Sequence, residues 1–230
     1  MKVYFKTFGC RTNIYDTELL KSYVKNYEIV NDDNIADIIV VNSCTVTNGA
    51  DSGVRNYINS MRNSGKKVIL TGCGAVSKGD ELFKSSAIFG VLGASNKSKI
   101  DEMLGKSEPF YELGDLNFID KNIVSNYENH TKAFIKIQEG CDFACSYCII
   151  PSVRGFSRSI DEDIILKEAK ILASNGYSEI VLTGTNIGSY GKGVGTSLGR
   201  LVAHLGKING IKRIRLGSIE PSQIDESFRE

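Results

Sequence analysis

The stretch ADIIVVN, residues 36–42, is apolar on consecutive positions from Ile38 to Val41 instead of alternating. A strand wetted on one face alternates, so an unbroken run predicts a parallel strand covered on both faces. Upstream, KVYFKTF (2–8) is rich in aromatic and β-branched residues and reads as a strand, followed by a helical stretch from about Tyr15 to Asn26. Downstream, Ser52–Asn63 reads as a helix and KKVILT (66–71) as the next strand. Ile88–Leu92 reads as a fourth, with a short helix near Lys97–Leu104. This rhythm predicts an α/β fold, a doubly wound parallel-sheet domain over residues 1–105 whose strands end at one common edge, where sites are normally built.

Residues 106–131 lose the periodicity and carry Glu108, Glu112, Asp115, Asp120 and Glu128, which reads as a linker. A second rhythm fills 132–230. It runs from strand KAFIKIQ (132–138) through a cysteine loop to a helix around Asp161–Ser174, strand EIVLT (179–183), a helix around Ser197–Lys207 and strand Arg213–Leu216. Two core-forming regions suit 230 residues, since one hydrophobic core usually serves about 100–200.

With 41% hydrophobic and 24% charged residues and only three prolines, the composition fits a globular protein rather than a disordered or fibrous one. The apolar runs are far shorter than the ~20 residues of a membrane span, and the start MKVYFKTFG lacks a signal-peptide apolar region. No membrane partner and a cytoplasmic location are expected, with the chain acting as a monomer. A net charge of +1 gives no basic excess of the kind that announces nucleic-acid binding, so any RNA contact is expected to be local or to lie outside this chain.

Six cysteines in such a chain argue for metal or redox chemistry over a disulfide framework. Cys10, Cys44 and Cys73 each follow a predicted strand, so residues far apart in sequence are expected to converge at one sheet edge. Cys141, Cys145 and Cys148 lie within eight residues at the spacing C-x3-C-x2-C, directly after a strand. Three thiolates in one short loop can hold three irons of a four-iron cluster and leave the fourth open, and an open metal position is where chemistry can occur. The alternatives are structural zinc or buried free thiols. Zinc wants a fourth Cys or His, and neither His130 nor His204 stands at a zinc-finger spacing to the loop; both histidines read as ordinary structural or surface residues.

The loop resembles the radical S-adenosylmethionine (SAM) signature, including the aromatic Tyr147 before the last cysteine. The likeness extends through EGCDFACSYCIIPSVRGFSRS (139–159), which is similar to the methylthiotransferase pattern EGC-xxx-C-xx-CIIP-xx-RG-xx-RS. FGCRTNIYDTE (8–18), VNSCTVTNGAD (41–51) and TGCGA (71–75) resemble the three motifs of that family's amino-terminal domain. The resemblance implies two 4Fe-4S clusters, with Cys141, Cys145 and Cys148 as the catalytic set and Cys10, Cys44 and Cys73 as ligands of a second cluster that supplies or carries sulfur. It implies SAM as cofactor, split by one electron to a 5′-deoxyadenosyl radical, together with an electron donor and possible renewal of sulfur from a persulfide. A radical is needed because no protein group removes an unactivated adenine hydrogen as a proton.

SCTVTNGAD and VLTGTNIGSYG (181–191) resemble the subfamily that methylthiolates N6-threonylcarbamoyladenosine beside the anticodon of tRNA. The subfamilies acting on isopentenyl-adenosine in tRNA and on a ribosomal-protein aspartate are the alternatives. A non-catalytic iron–sulfur or zinc-binding module is the alternative of another class. The family also implies a longer chain with a partial (β/α) barrel and a carboxyl-terminal RNA-binding domain. With only three barrel strands expected before Glu230, this sequence reads as the first part of that barrel, truncated, with weakened tRNA affinity and an unpaired sheet edge.

By the same resemblance Gly184, Thr185 and Asn186 bind the methionine part of SAM, although a plain strand-to-helix turn explains them too. Ser218 and Glu220 would bind SAM's sugar or amino group, or simply end a strand. Arg154 and Arg158 read as exposed cations able to grip a phosphate or carboxylate of the substrate, or as solvated surface. Phe143 and Tyr147 would shield the cluster or stack near adenine, or pack in a core. Asn13 matches a family position beside the first cysteine, or caps a helix.

Overall fold

The structure is a computed structural model that describes residues 1–44, 48–127, 130–224 and 226–228. Thr45, Val46 and Thr47 of the second cysteine motif lie outside the described residues. The chain divides into two compact units, Met1–Phe118 and Ile119–Glu230.

In the first unit, β1 (Lys2–Thr7), α1 (Arg11–Tyr23), β2 (Glu28–Ile29), β3 (Ile38–Ser43) and α2 (Asn48–Asn63) come first. They are followed by β4 (Lys67–Gly72), α3 (Cys73–Ser77), α4 (Gly79–Lys84), β5 (Gly90–Leu92), α5 (Ile100–Leu104) and β6 (Phe110–Glu112). All six strands are parallel, in the order β2-β1-β3-β4-β5-β6. The unbroken apolar run of β3 has a direct cause. Ile39 and Val41 pack with Val54 and Ile58 of α2 on one face, while Ile38 and Val40 pack with Leu20 of α1 and Met103 of α5 on the other. A period of two thus feeds two cores, each fully buried Ile or Leu contributing about 1.5–3 kcal/mol.

From β1 the chain moves outward to β2, then returns to the opposite side of β1 for β3. That reversal makes the carboxyl ends of β1 and β3 a topological switch point, the usual place for a ligand crevice in such sheets. Helix α1 starts earlier than its periodicity suggests, at Arg11, with Cys10 as the extended residue before it. Asn13 is therefore inside the helix and not its cap.

The second unit contains β7 (Ala133–Glu139), α6 (Ile150–Arg154), β8 (Arg158–Ser159), α7 (Glu162–Ser174), β9 (Glu179–Gly184), α8 (Leu198–Leu205) and β10 (Arg213–Leu216). The sheet order is β10-β9-β7-β8, parallel except for β8, which runs antiparallel to β7. Strand β7 is buried along its whole length. Its pairing with β9 slips between Lys136 and Gln138, an irregularity of the kind that re-aims side chains beside sites.

The described residues of the stretch 106–131 are anchored in places. Phe110–Glu112 extends the first sheet as β6. Further on, Val124 and Tyr127 are buried in the second unit. The Val124 amide donates to Glu168, and the Tyr127 hydroxyl donates to the Phe134 carbonyl. A charged, aperiodic stretch conceals such anchoring because each anchor is a single residue meeting a distant partner.

Candidate functional site

In the second unit Cys141, Cys145 and Cys148 occupy the loop between β7 and α6, at the carboxyl edge of the parallel strands. Cys141 is buried, Cys148 half-buried and Cys145 exposed, and all three are free thiols. Gly140 opens the loop at φ +78°, and a Cβ there would lie 2.0 Å from the Phe156 carbonyl oxygen. Only glycine serves at that point. The Cys141 amide donates to Gly155 and the Cys148 amide to Cys145, which closes a turn.

Gln138, fully buried at the end of β7, organises the surroundings. Its Nε2 lies 3.0 Å from the Glu139 carbonyl, 2.7 Å from that of Gly140 and 3.1 Å from Ser157 Oγ. Its Oε1 accepts from the Asn186 amide at 2.7 Å. The Gly140 amide donates to Thr185 Oγ1, and Asn186 Nδ2 lies 3.7 Å from Cys141 Sγ. Gly184, Thr185 and Asn186 are thereby tied to the cysteine loop itself. Ser218 and Glu220 are exposed beyond β10.

Directly behind the loop lies a buried ion cluster. Glu139, 2% exposed, faces Lys136 Nζ at 3.1 Å and Arg154 Nη1 at 2.6 Å, and Arg158 stands at 3.9 Å. The expectation of two exposed cations is corrected here. Arg154 is 4% exposed and engaged with Glu139, while Arg158 donates to the carbonyls of Arg154 and Phe156. Their charges are held inward because the RGFSRS segment folds back onto β7 through β8. Core packing is likewise excluded for Phe143 and Tyr147, which are 43% and 90% exposed. His130 sits against Tyr127 and Phe134, and His204 hydrogen-bonds Glu162.

Asp142 links the loop outward, accepting from the Ser157 amide at 3.0 Å and from Lys192 Nζ at 2.5 Å. The Lys192 hydrogen bond, then that of Ser157, holds its carboxyl below the ordinary carboxylate pKa. A depressed folded-state pKa stabilises above the unfolded pKa and is lost as pH falls through the folded value. Lys192→Ala should therefore raise the Asp142 pKa towards the ordinary carboxylate value, a change NMR titration reads, and should soften the loop's resistance to acid only slightly, because the pair is exposed.

In the first unit Cys10, Cys44 and Cys73 follow β1, β3 and β4, which are neighbours in the sheet. Cys10 is exposed, and Cys44 and Cys73 are buried. A Cβ on Gly9, at φ +103°, would lie 2.8 Å from Cys44 Sγ, so the Cys44 thiol rests against the backbone just before Cys10. Asn13 clasps the two loops, its Nδ2 donating to the Phe8 carbonyl at 2.8 Å and the Ser43 carbonyl at 3.0 Å. Asn42 donates to the Asn13 carbonyl and to Thr17 Oγ1, and its Oδ1 lies against Gly72, the residue before Cys73. Asn13→Ala should cost about 1–2 kcal/mol by removing one buried and one part-buried hydrogen bond between the loops, read as faster hydrogen exchange through β1 and β3.

Among the described residues, no three His, Cys, Asp or Glu side chains converge closely enough for one metal ion. A four-iron cluster spreads its thiolate ligands wider than a single ion does. Sequence reading missed Gln138, Glu139 and Lys136 as parts of the site. The signal was present, since two polar residues interrupt KAFIKIQ at alternate positions in a strand expected to be buried.

A model described as "Uncharacterized protein family UPF0004" matches residues 2–93, and the radical SAM superfamily model matches residues 135–223. A putative methylthiotransferase of Helicobacter pylori is 51% identical over all of this chain and 55% of its own length. The threonylcarbamoyladenosine tRNA methylthiotransferase MtaB of Aquifex aeolicus is 39% identical, covering 99% of this chain and 58% of that protein. The tRNA-2-methylthio-N(6)-dimethylallyladenosine synthase of Fervidobacterium nodosum is 33% identical, covering 93% and 51%. The chain thus spans about half the length of the curated relatives it matches. In fold it is similar to the radical SAM methyltransferase TsrM of Kitasatospora setae, with a TM-score of 0.64 at 14% identity over 99% of this chain and 56% of that one. The two matched segments carry all six cysteines at the strand ends described above, and over its whole length the chain is similar to proteins named as methylthiotransferases.

Proposed function

We propose that the chain serves as a radical SAM methylthiotransferase acting on tRNA, with N6-threonylcarbamoyladenosine as the substrate. The observation that carries this is the loop of three free thiols within eight residues at the carboxyl edge of β7. Soft thiolates without disulfide partners suit iron–sulfur clusters. Cys141, Cys145 and Cys148 would hold one 4Fe-4S cluster, and Cys10, Cys44 and Cys73 the second. When bound, the first supplies the electron that cleaves SAM and begins the radical chemistry. The chain's own residues prepare the place: Gly140 lets the loop turn, Gln138 fixes its base, and Gly184, Thr185 and Asn186 border the space beside Cys141. Tyr147 and Phe143, both exposed on the loop, offer aromatic faces to an adenine. In this reading Arg154 and Arg158 support the loop rather than touch tRNA.

Substrate choice rests on SCTVTNGAD and VLTGTNIGSYG, since identities of 34–39% to threonylcarbamoyladenosine enzymes overlap those of 33–37% to dimethylallyladenosine enzymes. A cytoplasmic site of action, an electron donor and a persulfide source of sulfur belong to the same proposal; among the described residues no helix is long and apolar enough to cross a membrane. The test is mass spectrometry of tRNA nucleosides from a strain lacking the gene. Loss of the 2-methylthio form of threonylcarbamoyladenosine supports the proposal. Loss of the 2-methylthio dimethylallyl nucleoside alone would reassign the substrate.

A further inference from the structure

The turn after β9 is fastened to the cysteine loop more firmly than a strand-to-helix connection requires. Gln138 Oε1 holds the Asn186 amide, Thr185 Oγ1 holds the Gly140 amide, and a Cβ on Gly184 would lie 2.7 Å from the Gln138 carbonyl oxygen. Gln138 uses its other end to bind the carbonyls of Glu139 and Gly140, the residues that lead into Cys141. One buried amide therefore sets both the backbone of Asn186 and the entry to Cys141. Within that frame the Asn186 side chain aims its Nδ2 at Cys141 Sγ, 3.7 Å away, a distance suited to an N–H···S bond. Cys141 is 9% exposed, so water competes little for its sulfur, whereas Cys145 is exposed.

We propose that Asn186 is a positioning residue for the cluster held by Cys141, Cys145 and Cys148, donating a hydrogen bond to the Cys141 sulfur that raises the cluster's reduction potential. The inference rests on the cluster assignment made above. Adding an electron increases the negative charge on the ligand sulfurs, so a donor aimed at one of them stabilises the reduced form more than the oxidised form. A SAM contact, the role the family resemblance implies for Asn186, would act only when SAM is bound. The hydrogen bond acts without it.

The experiment uses the full chain with Cys10, Cys44 and Cys73 replaced by alanine, reconstituted with iron and sulfide and titrated with dithionite in the absence of SAM. The reduced cluster is followed by electron paramagnetic resonance. Asn186→Ala should keep its iron and shift the potential downward, and Asn186→Asp, of the same shape but with a negative charge for the donor, should shift it further. Unchanged potentials in both variants with iron retained would overturn the inference while leaving the cluster in place. Loss of iron from both would also overturn it, since Asn186 would then hold the loop together rather than tune it. Failure of the parent to take up iron would instead overturn the cluster assignment, and the inference with it.

Discussion

Glu139→Ala should destabilise the second unit by about 3–5 kcal/mol, the range for removing one partner of a buried ion pair. Glu139 is 2% exposed and receives Lys136, which is fully buried, and Arg154, 4% exposed. Truncation removes the carboxylate that both cations face, two residues before Cys141. Glu139→Gln keeps the shape but not the charge, and should recover only part of the loss. Because the chain has two units, one unfolding midpoint does not report on either alone. Hydrogen exchange of the β7 and β9 amides gives the reading, with β1, β3 and β4 as the internal reference. Unchanged protection in β7 would show that Glu139 does not anchor this sheet.

Gly140→Ala should have an effect of similar size, about 3–5 kcal/mol, by another route. The left-handed backbone costs an L side chain about 1–2 kcal/mol. The added methyl would also overlap the backbone oxygens of Phe156 and Gly155, at 2.0 and 2.7 Å. Neither oxygen can move freely, since the Cys141 amide is bonded to Gly155 and the Arg158 guanidinium to Phe156. The expected result is a distorted Cys141 loop with the amino-terminal unit intact. Iron uptake attributable to Cys141, Cys145 and Cys148 should fall, while that of Cys10, Cys44 and Cys73 stays. Wild-type iron content and exchange protection in Gly140→Ala would contradict the geometry.

How legible all this was in the sequence depends on whether a feature is set by local pattern or by distant partners. ADIIVVN announced a strand covered on both faces because its apolar run answers to the two cores that Ile38 and Ile39 enter. The place of the cysteine loop directly after a strand was legible too, from the β-branched and aromatic run that precedes it. The two-residue strands β2 and β8 were not, because two residues cannot display a period and exist only through pairing with β1 and β7. Arg154 looked exposed for a related reason. Nothing near it in the sequence says that Glu139, fifteen residues away, turns it inward. Gln138 shows the same limit, since its role depends on a turn that is 48 residues distant along the chain but adjacent in the sheet.

The most direct measurement is anaerobic reconstitution of the chain, followed by iron counting and incubation with SAM and dithionite. The expected result is about eight irons per chain, two four-iron clusters, and release of 5′-deoxyadenosine. Replacing Cys141, Cys145 and Cys148 with alanine should remove about half the iron and abolish that product. Tetrahedral zinc with no iron uptake, or undiminished 5′-deoxyadenosine from the triple variant, would contradict the cluster assignment.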